Sequence, residues 1–512
     1  MTRKHITKKS LSIYIVILSI ILTLGMILGL SVLAIASLVV FITTIFLIAT
    51  EVMMRSTAAL LGAFLVFAIF SSAGYHSVEI AHEFIEMNTI LTLFGIIIVA
   101  SLGLRSGLFY FIGMKVAKAS KGDPLLLYFI FAFLTLILNI FLIAVATIVV
   151  VVSLTLTVCD LLKIDPRPYI LMEIFTVNVA ASSTMISAVP NIIIAEEAHL
   201  SYAFFIENLM PFVIIFFLLS LWMIFIVFPP PSVVDARRAM AILEIDEWLF
   251  VKNRTEFYVA AVCMGGLIVG FIVSRDLMVI SLLFSVIALV FYSSPEELIK
   301  DVDWDTLLFF IGFYVIIAGL SLTGILDGIA SALIVMSGGN PYILISLLFW
   351  ISVIVSGFVD NIPYVLVIIP IVERLVEKDP FSQYIAIFWI LLILACNVGG
   401  GLNPYSAPQN LLAISIAKKG GHPIIARDYY KVSIKWTIIG GSLAYTYGML
   451  FMVTPIIVEE IGYIAFVLIL LSAVLGGLLL GIHKTVGIIR FAKLLKRLMI
   501  DIERRIRKIV KK

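Results

Sequence analysis

Charge is what this sequence has least of: Asp, Glu, Lys and Arg supply 13% of its 512 residues, about half the share of a soluble domain. With 62% hydrophobic residues and a mean hydropathy of +1.19, that shortage excludes a soluble globular protein. Cysteine is scarcer still. Cys159, Cys263 and Cys396 stand singly in three apolar segments, which argues against a disulfide framework or a paired-cysteine metal site. They read as buried small hydrophobes; a thiol site for a soft metalloid would need three distant segments to converge. No nucleotide-binding motif is present, so ATP drive would need a separate partner. Paired aspartates, a zinc triad and a Ser-Lys pair at common depth are missing too, which argues against a membrane enzyme. No cofactor is implied beyond a coupling sodium ion.

What the chain has in plenty is apolar sequence in lengths of roughly 20 residues, enough for a hydrocarbon slab of roughly 30 Å at 1.5 Å per helical residue. One signal peptide or anchor cannot account for lengths that recur throughout. Spans are expected at Leu11 to Leu30, Ser31 to Thr50, Thr57 to Ala73 and Thr89 to Leu104. The run Leu125 to Leu162, opened by the turn signal Gly122-Asp123-Pro124, is too long for one straight helix and suits a hairpin that leaves by the side it entered. A polar stretch within Tyr169 to Ile194 and a span at Phe204 to Phe228 follow, and Pro229-Pro230-Pro231 opens the only sizeable linker.

After a span at Phe257 to Val273 the order returns. Thr89 pairs with Thr306, Gly95 with Gly312, Gly107 with Gly324, Gly122 with Gly339, Pro124 with Pro341 and Phe141 with Phe358, all at one offset of 217. Leu/Ile-rich sequence can imitate a repeat, but it would not hold Gly, Pro and Thr in one register. The expected architecture is an all-α polytopic membrane protein with about twelve spans, two re-entrant hairpins and two inverted repeats with broken helices. The divisions are N-terminal spans at 1–55, repeats at 56–228 and 277–453, a linker at 229–256, a connecting span at 257–276, a last span at 454–483 and a tail at 484–512. Placing both termini in the cytoplasm puts 32 of the 35 Lys and Arg inside and leaves Arg275, Arg374 and Lys378 outside. The tail carries eleven basic residues among Ile, Leu and Val and reads as a helix lying on the anionic inner leaflet. The bilayer, not nucleic acid, is the expected macromolecular partner.

Polar residues inside apolar segments mark the candidate site. Asn178-Val-Ala-Ala-Ser-Ser-Thr-Met-Ile-Ser187-Ala-Val-Pro-Asn191 answers to Asn397-Val-Gly-Gly-Gly-Leu-Asn-Pro-Tyr-Ser406-Ala-Pro-Gln-Asn410 at an offset of 219. Breaking a helix in mid-membrane exposes backbone groups that a bound ion or substrate can satisfy. The second long run carries Ser356-Gly-Phe-Val-Asp360-Asn361-Ile-Pro363, and a mid-bilayer Asp is a candidate for coupling to a proton or a sodium ion. Asn361, Asn397, Asn403, Ser406 and Asn410 add oxygens; for a sodium ion the candidate ligands are Asp360, Asn361, Asn403 and Ser406. The first half offers only the neutral Thr147, Asn178, Ser183, Thr184, Ser187 and Asn191, and neither Arg nor Lys is expected at the site. Glu173 and Glu207 lie near segment ends and read as solvated, as do His76, His82 and their acidic neighbours.

Glu51-Val-Met-Met-Arg55-Ser-Thr-Ala-Ala-Leu-Leu-Gly62, Met87-Asn88-Thr89-Ile-Leu, Gly107-Leu-Phe, Asp360-Asn361-Ile-Pro363 and Ala417-Lys-Lys-Gly-Gly-His-Pro423 resemble the ion transporter superfamily. The likeness runs from about Glu51 to Val453 and points to the branch of arsenite permeases, bacterial sodium/proton antiporters and the P protein, related to citrate and dicarboxylate carriers. It implies a scaffold, a moving transport domain of hairpins and broken helices, often a homodimer, and elevator-like alternating access. The chain departs from the family pattern where the usual Asp-Asn of the first tip is Ile143-Ala144 and where Gly-Asp-Pro-Pro-Asn is Ser187-Ala-Val-Pro-Asn191. The expected function is secondary transport of an inorganic ion or small anion, as cation/proton antiport or arsenite-type efflux, with sodium-coupled citrate or dicarboxylate carriage as the alternative and a passive channel as a lesser one.

Overall fold

The computed structural model describes residues 8–50, 52–231, 242–274, 276–378 and 380–461. The part of the expected last span past residue 461, the basic tail and the middle of the linker lie outside the described residues. Helices α1 (Lys8–Ile27) and α2 (Val32–Ala49) precede α3 (Arg55–Ser72), α4 (Ser77–Phe84), α5 (Met87–Arg105) and α6 (Leu108–Lys118). A hairpin of α7 (Pro124–Phe141) and α8 (Ala144–Leu162) leads to α9 (Arg167–Ala180), α10 (Val189–Glu197), α11 (Tyr202–Asn208) and α12 (Met210–Val227). The second half opens with α13 (Arg254–Val273), α14 (Leu277–Phe291), α15 (Pro295–Lys300), α16 (Trp304–Leu322) and α17 (Ile325–Met336). Its hairpin, α18 (Pro341–Phe358) and α19 (Asn361–Val376), is followed by α20 (Ile385–Gly399), α21 (Pro408–Lys419) and α22 (Ala426–Ile461).

Ten of the described helices are long and apolar enough to cross a membrane, three of them hairpin arms. The residues kept in register between the halves are those with a local structural duty. Gly107 and Gly324 adopt φ of 80° and 73°, a left-handed conformation that a side chain would strain, and each ends a long helix so that an amphipathic one can follow. Pro124 and Pro341 occupy the first turn of α7 and α18, capped by Asp123 and Asn340, whose side chains each accept from two backbone N–H groups.

Packing divides the helices into two sets. α3 lies along α16, and α5 along α14, in the two most extensive helix pairs; because α5 and α16 are equivalent in the repeats, the pairs are related by the internal symmetry. These four form the scaffold. In the other set each hairpin packs its first arm on its own broken helix, α7 on α9 and α18 on α20. Its second arm packs on the other half's, α8 on α21 and α19 on α10. The two repeats are therefore interlocked through their broken helices.

At the end of α5, Arg105 holds both Glu297 and Asp301. The hydrogen bond from Arg105 keeps the Asp301 carboxyl below the usual carboxylate range. A lowered folded-state value contributes stability that is present above the unfolded value and lost as pH falls through the folded one. Asp301→Asn is therefore expected to lower the melting temperature in detergent at neutral pH. The difference from wild type should begin to shrink below about pH 4, the usual range for Asp, and vanish only once pH has fallen through the lower folded-state value, where the wild type loses the same charge.

Candidate functional site

Both doubled stretches break their helix, and they close the break with their own side chains. In the first, Ser187 Oγ sits 2.7 Å from Ala181 O and 2.6 Å from Thr184 O, in reach to donate to either. Asn191 Nδ2 donates to the same two carbonyls at 2.6 and 2.8 Å. In the second, Ser406 Oγ lies 2.7 Å from Gly400 O and 2.6 Å from Asn403 O, and Asn410 Nδ2 donates to them at 2.8 and 3.4 Å. Carbonyls freed at the end of each first half-helix are thus satisfied internally, which is why Ser and Asn recur at these places.

The other asparagines tie the repeats together. Asn178 Nδ2 donates to Asn410 Oδ1 at 2.7 Å, and Asn397 Nδ2 to Asn191 Oδ1 at 3.1 Å. Each also donates one turn back, to Ile174 O and Ile393 O. Gln409 adds a bond to Asn178 Oδ1. Removing Asn191 takes one donor from each of two carbonyls, which Ser187 Oγ cannot serve at once, and leaves the Asn397 amide with Ile393 O. Asn191→Ala is expected to cost about 1–3 kcal/mol of stability, and Asn191→Ala with Asn397→Ala less than the sum of the singles, because they share one bond. Unfolding midpoints in detergent would measure both.

The hairpin tips differ. The first, at Leu142-Ile143, is sealed on its break: Ala144 N and Asn139 Nδ2 donate to Ser187 O, and Thr184 Oγ1 donates to Ile140 O. Thr147 Oγ1 donates to Ile143 O at 3.3 Å, and all of 181–188 is buried. Ser183 Oγ is buried there without a hydrogen-bond partner. The second tip is open and charged. Tyr405 of the second break is 65% exposed, and Asn403 Oδ1 accepts from Tyr405 N and Tyr430 Oη. Asn361 accepts from Ser356 Oγ and donates to Cys396 O.

Asp360 caps α19, one oxygen accepting from Ile362 N at 3.1 Å. The other accepts from Arg55 Nη1 at 3.3 Å. Arg55 belongs to the scaffold, and its Nε and Nη2 donate to Asp305 at 2.9 Å and Thr306 at 2.6 Å, with Asp303 3.5 Å away. This corrects the expectation that no basic residue lies at the site. The four sodium-ligand candidates each have protein partners: Asp360 with Arg55, Asn361 with Ser356, Asn403 with Tyr430, and Ser406 with the break carbonyls. Among the described residues no three His, Cys, Asp or Glu side chains are grouped to hold a metal ion.

Two functional candidates escaped sequence reasoning. Arg55 stands at the head of a span, where a basic residue needs no explanation, and its partner lies 305 residues away. Glu173 was expected to be solvated; instead it is fully buried in α9, with Thr155 Oγ1 on one oxygen and no partner on the other. Nothing in its neighbours' identities shows that α9 is enclosed on all sides. Glu207, His76 and His82 are exposed, as expected.

A profile of the citrate transporter family matches residues 45–392. An uncharacterised transporter of Mycobacterium tuberculosis is 28% identical over 76% of this chain and 90% of its own length. The mouse P protein is 22% identical over 78% of this chain and 58% of its own. Among solved structures, the YdaH transporter of Alcanivorax borkumensis aligns at a TM-score of 0.47 and 12% identity, covering 77% of this chain and 90% of that one.

Proposed function

The chain belongs to the citrate transporter family, and from that premise we propose that it is a secondary active transporter of a small ion, coupled to a proton or sodium gradient through Asp360. One observation carries this reading: the ion pair between Arg55 on the scaffold and Asp360 at the tip of the interlocked set. If the tip slides along α3 and α16, the pair must part. Arg55 then keeps Asp305, but Asp360 is left as an uncompensated anion in an apolar setting, which is costly. A proton or sodium ion on Asp360 removes that cost. The carboxylate is either paired and held or loaded and free to move, and this alternation is what coupling requires.

The substrate reading follows the charge. Three carboxylates, Asp303, Asp305 and Asp360, face one guanidinium, an excess that favours cations and supports cation/proton antiport over arsenite-type efflux, whose substrate is a neutral acid or an anion. Carriage of citrate or a dicarboxylate is the second reading, favoured by the family's description and by Arg55, a planar donor suited to carboxylates. Alternating access by elevator-like movement, a homodimeric assembly and cytoplasmic termini complete the proposal. Purified protein in liposomes should drive sodium, arsenite or citrate uphill when a proton or sodium gradient is imposed. Flux that only runs downhill would mark a channel and overturn the reading.

A further inference from the structure

We propose that Glu173 is a second proton-carrying site, lodged between the first hairpin and its broken helix; the idea rests on the transport reading above and deepens it. Glu173 is fully buried, and none of the ion pairs among the described residues includes it. Its one hydrogen-bond partner is the neutral hydroxyl of Thr155, and its Oε2 has none. Burying an anion so poorly satisfied costs more than taking up a proton. The carboxyl therefore holds a proton in this conformation.

The surroundings select a proton over a metal cation. Tyr128 of α7 and Cys159 of α8, the titratable side chains buried in the two hairpin arms packed on α9, are both neutral groups. The helices packed against α9 add no counter-ion. α12 holds no ionisable side chain, α20 brings only Cys396, α22 brings Tyr429 against Phe175, and Lys418 and Lys419 of α21 are exposed at its far end. Two or three neutral oxygens and a thiol cannot replace the hydration shell of a hard cation. They suffice for a proton. A route out is short: Glu173 lies six residues into α9, about 9 Å from its start at the helical rise. Tyr169 lies in that interval with its ring 5.6 Å from that of Tyr128, and Tyr169 Oη donates to Pro124 O.

The twin repeat argues that the fold does not need a carboxyl here. The positions equivalent to Tyr128, Thr155 and Glu173 are Ile345, Val372 and Leu392, and these three line an apolar cavity of about 10 Å³. One repeat thus closes the same corner with aliphatic side chains. The repeat with the acid at this corner is also the one whose tip carries Ile143-Ala144 in place of Asp360-Asn361. The first half's hairpin and broken helix carry Asp160, Glu173, Glu196 and Glu197, of which Glu173 alone is buried; the second half's carry Asp360 and Glu373, both half-buried. When the hairpin arms shift against α9, water reaches the acid, the O–H bond breaks, the proton passes to solvent and the carboxylate is hydrated. Closure requires the proton's return.

The test compares wild type with Glu173→Gln in liposomes, using labelled sodium, arsenite and citrate in turn under an imposed pH gradient. Glutamine has the shape of the neutral acid and can keep the Thr155 bond. Glu173→Gln is expected to fold and to exchange substrate within about twofold of wild type, but to lose pH-driven accumulation by about tenfold or more, with a flattened pH profile. Unchanged accumulation and pH profile would overturn the site, as would a variant that cannot fold, since the acid would then be structural. A wild type driven by sodium but indifferent to pH would overturn the proton site alone. A wild type that accumulates none of the three under any gradient would overturn the transport reading and this site with it.

Discussion

Asp360→Asn will abolish gradient-driven accumulation, by about 100-fold or more, while leaving the hairpin folded. The size follows from the charge: an unpaired carboxylate in an apolar setting costs roughly 2.5–3.5 kcal/mol or more, and each 1.4 kcal/mol is a factor of ten. A neutral amide removes the cost that ties movement to cation loading. Asparagine is as good a helix cap as aspartate, so the bond now made to Ile362 N can persist and α19 should not fray. The variant is therefore expected to keep passive exchange and lose only the uphill component. Arg55→Lys should also impair transport, because a single ammonium cannot reproduce the separate bonds to Asp305, Thr306 and Asp360. Flux assays in liposomes with and without a gradient measure both.

Gly312→Val and Gly95→Val will each destabilise the scaffold by about 3 kcal/mol or more, the upper range for overpacking a tight interface. A Cβ at Gly312 would stand 2.6 Å from Ala59 C and 2.7 Å from Leu60 N; one at Gly95 would stand 2.6 Å from Ser281 C and O. The obstructing atoms are backbone, so no side chain can turn aside. α3 must move off α16, and α5 off α14, losing the close approach that small residues give membrane helices. Thermal unfolding in detergent should show both variants well below wild type. Gly328→Val, where a Cβ meets open space, is the control that should not shift.

The same glycines show how much of the fold the sequence disclosed. Residues with backbone duties, such as Gly107, Gly324, Pro124 and Pro341, cannot drift in kind, so the two halves stayed legible in one register. The helix breaks were legible from Asn, Ser and Pro in apolar surroundings. What those residues do there was not. The hydrogen bonds that close each break depend on a half-helix turning back over its own carbonyls, and no spacing rule announces that geometry. Arg55 was invisible as a partner because its bond to Asp360 exists only once α3, α16 and the second hairpin are packed together. Glu173 was misjudged for a related reason: burial is decided by what covers α9, and its covers come from both halves of the chain.

If the second hairpin tip moves along the scaffold, a distance measured across that boundary must change. The three native cysteines are buried, so spin labels can be confined to Phe358→Cys at the tip and Trp304→Cys on the scaffold, both exposed. In liposomes, a proton or sodium gradient with sodium, arsenite or citrate supplied should redistribute the label pair between two separations. These should differ by about 5 Å or more, at least one helical turn. A single separation, unchanged under every gradient in a preparation that transports, would contradict the account.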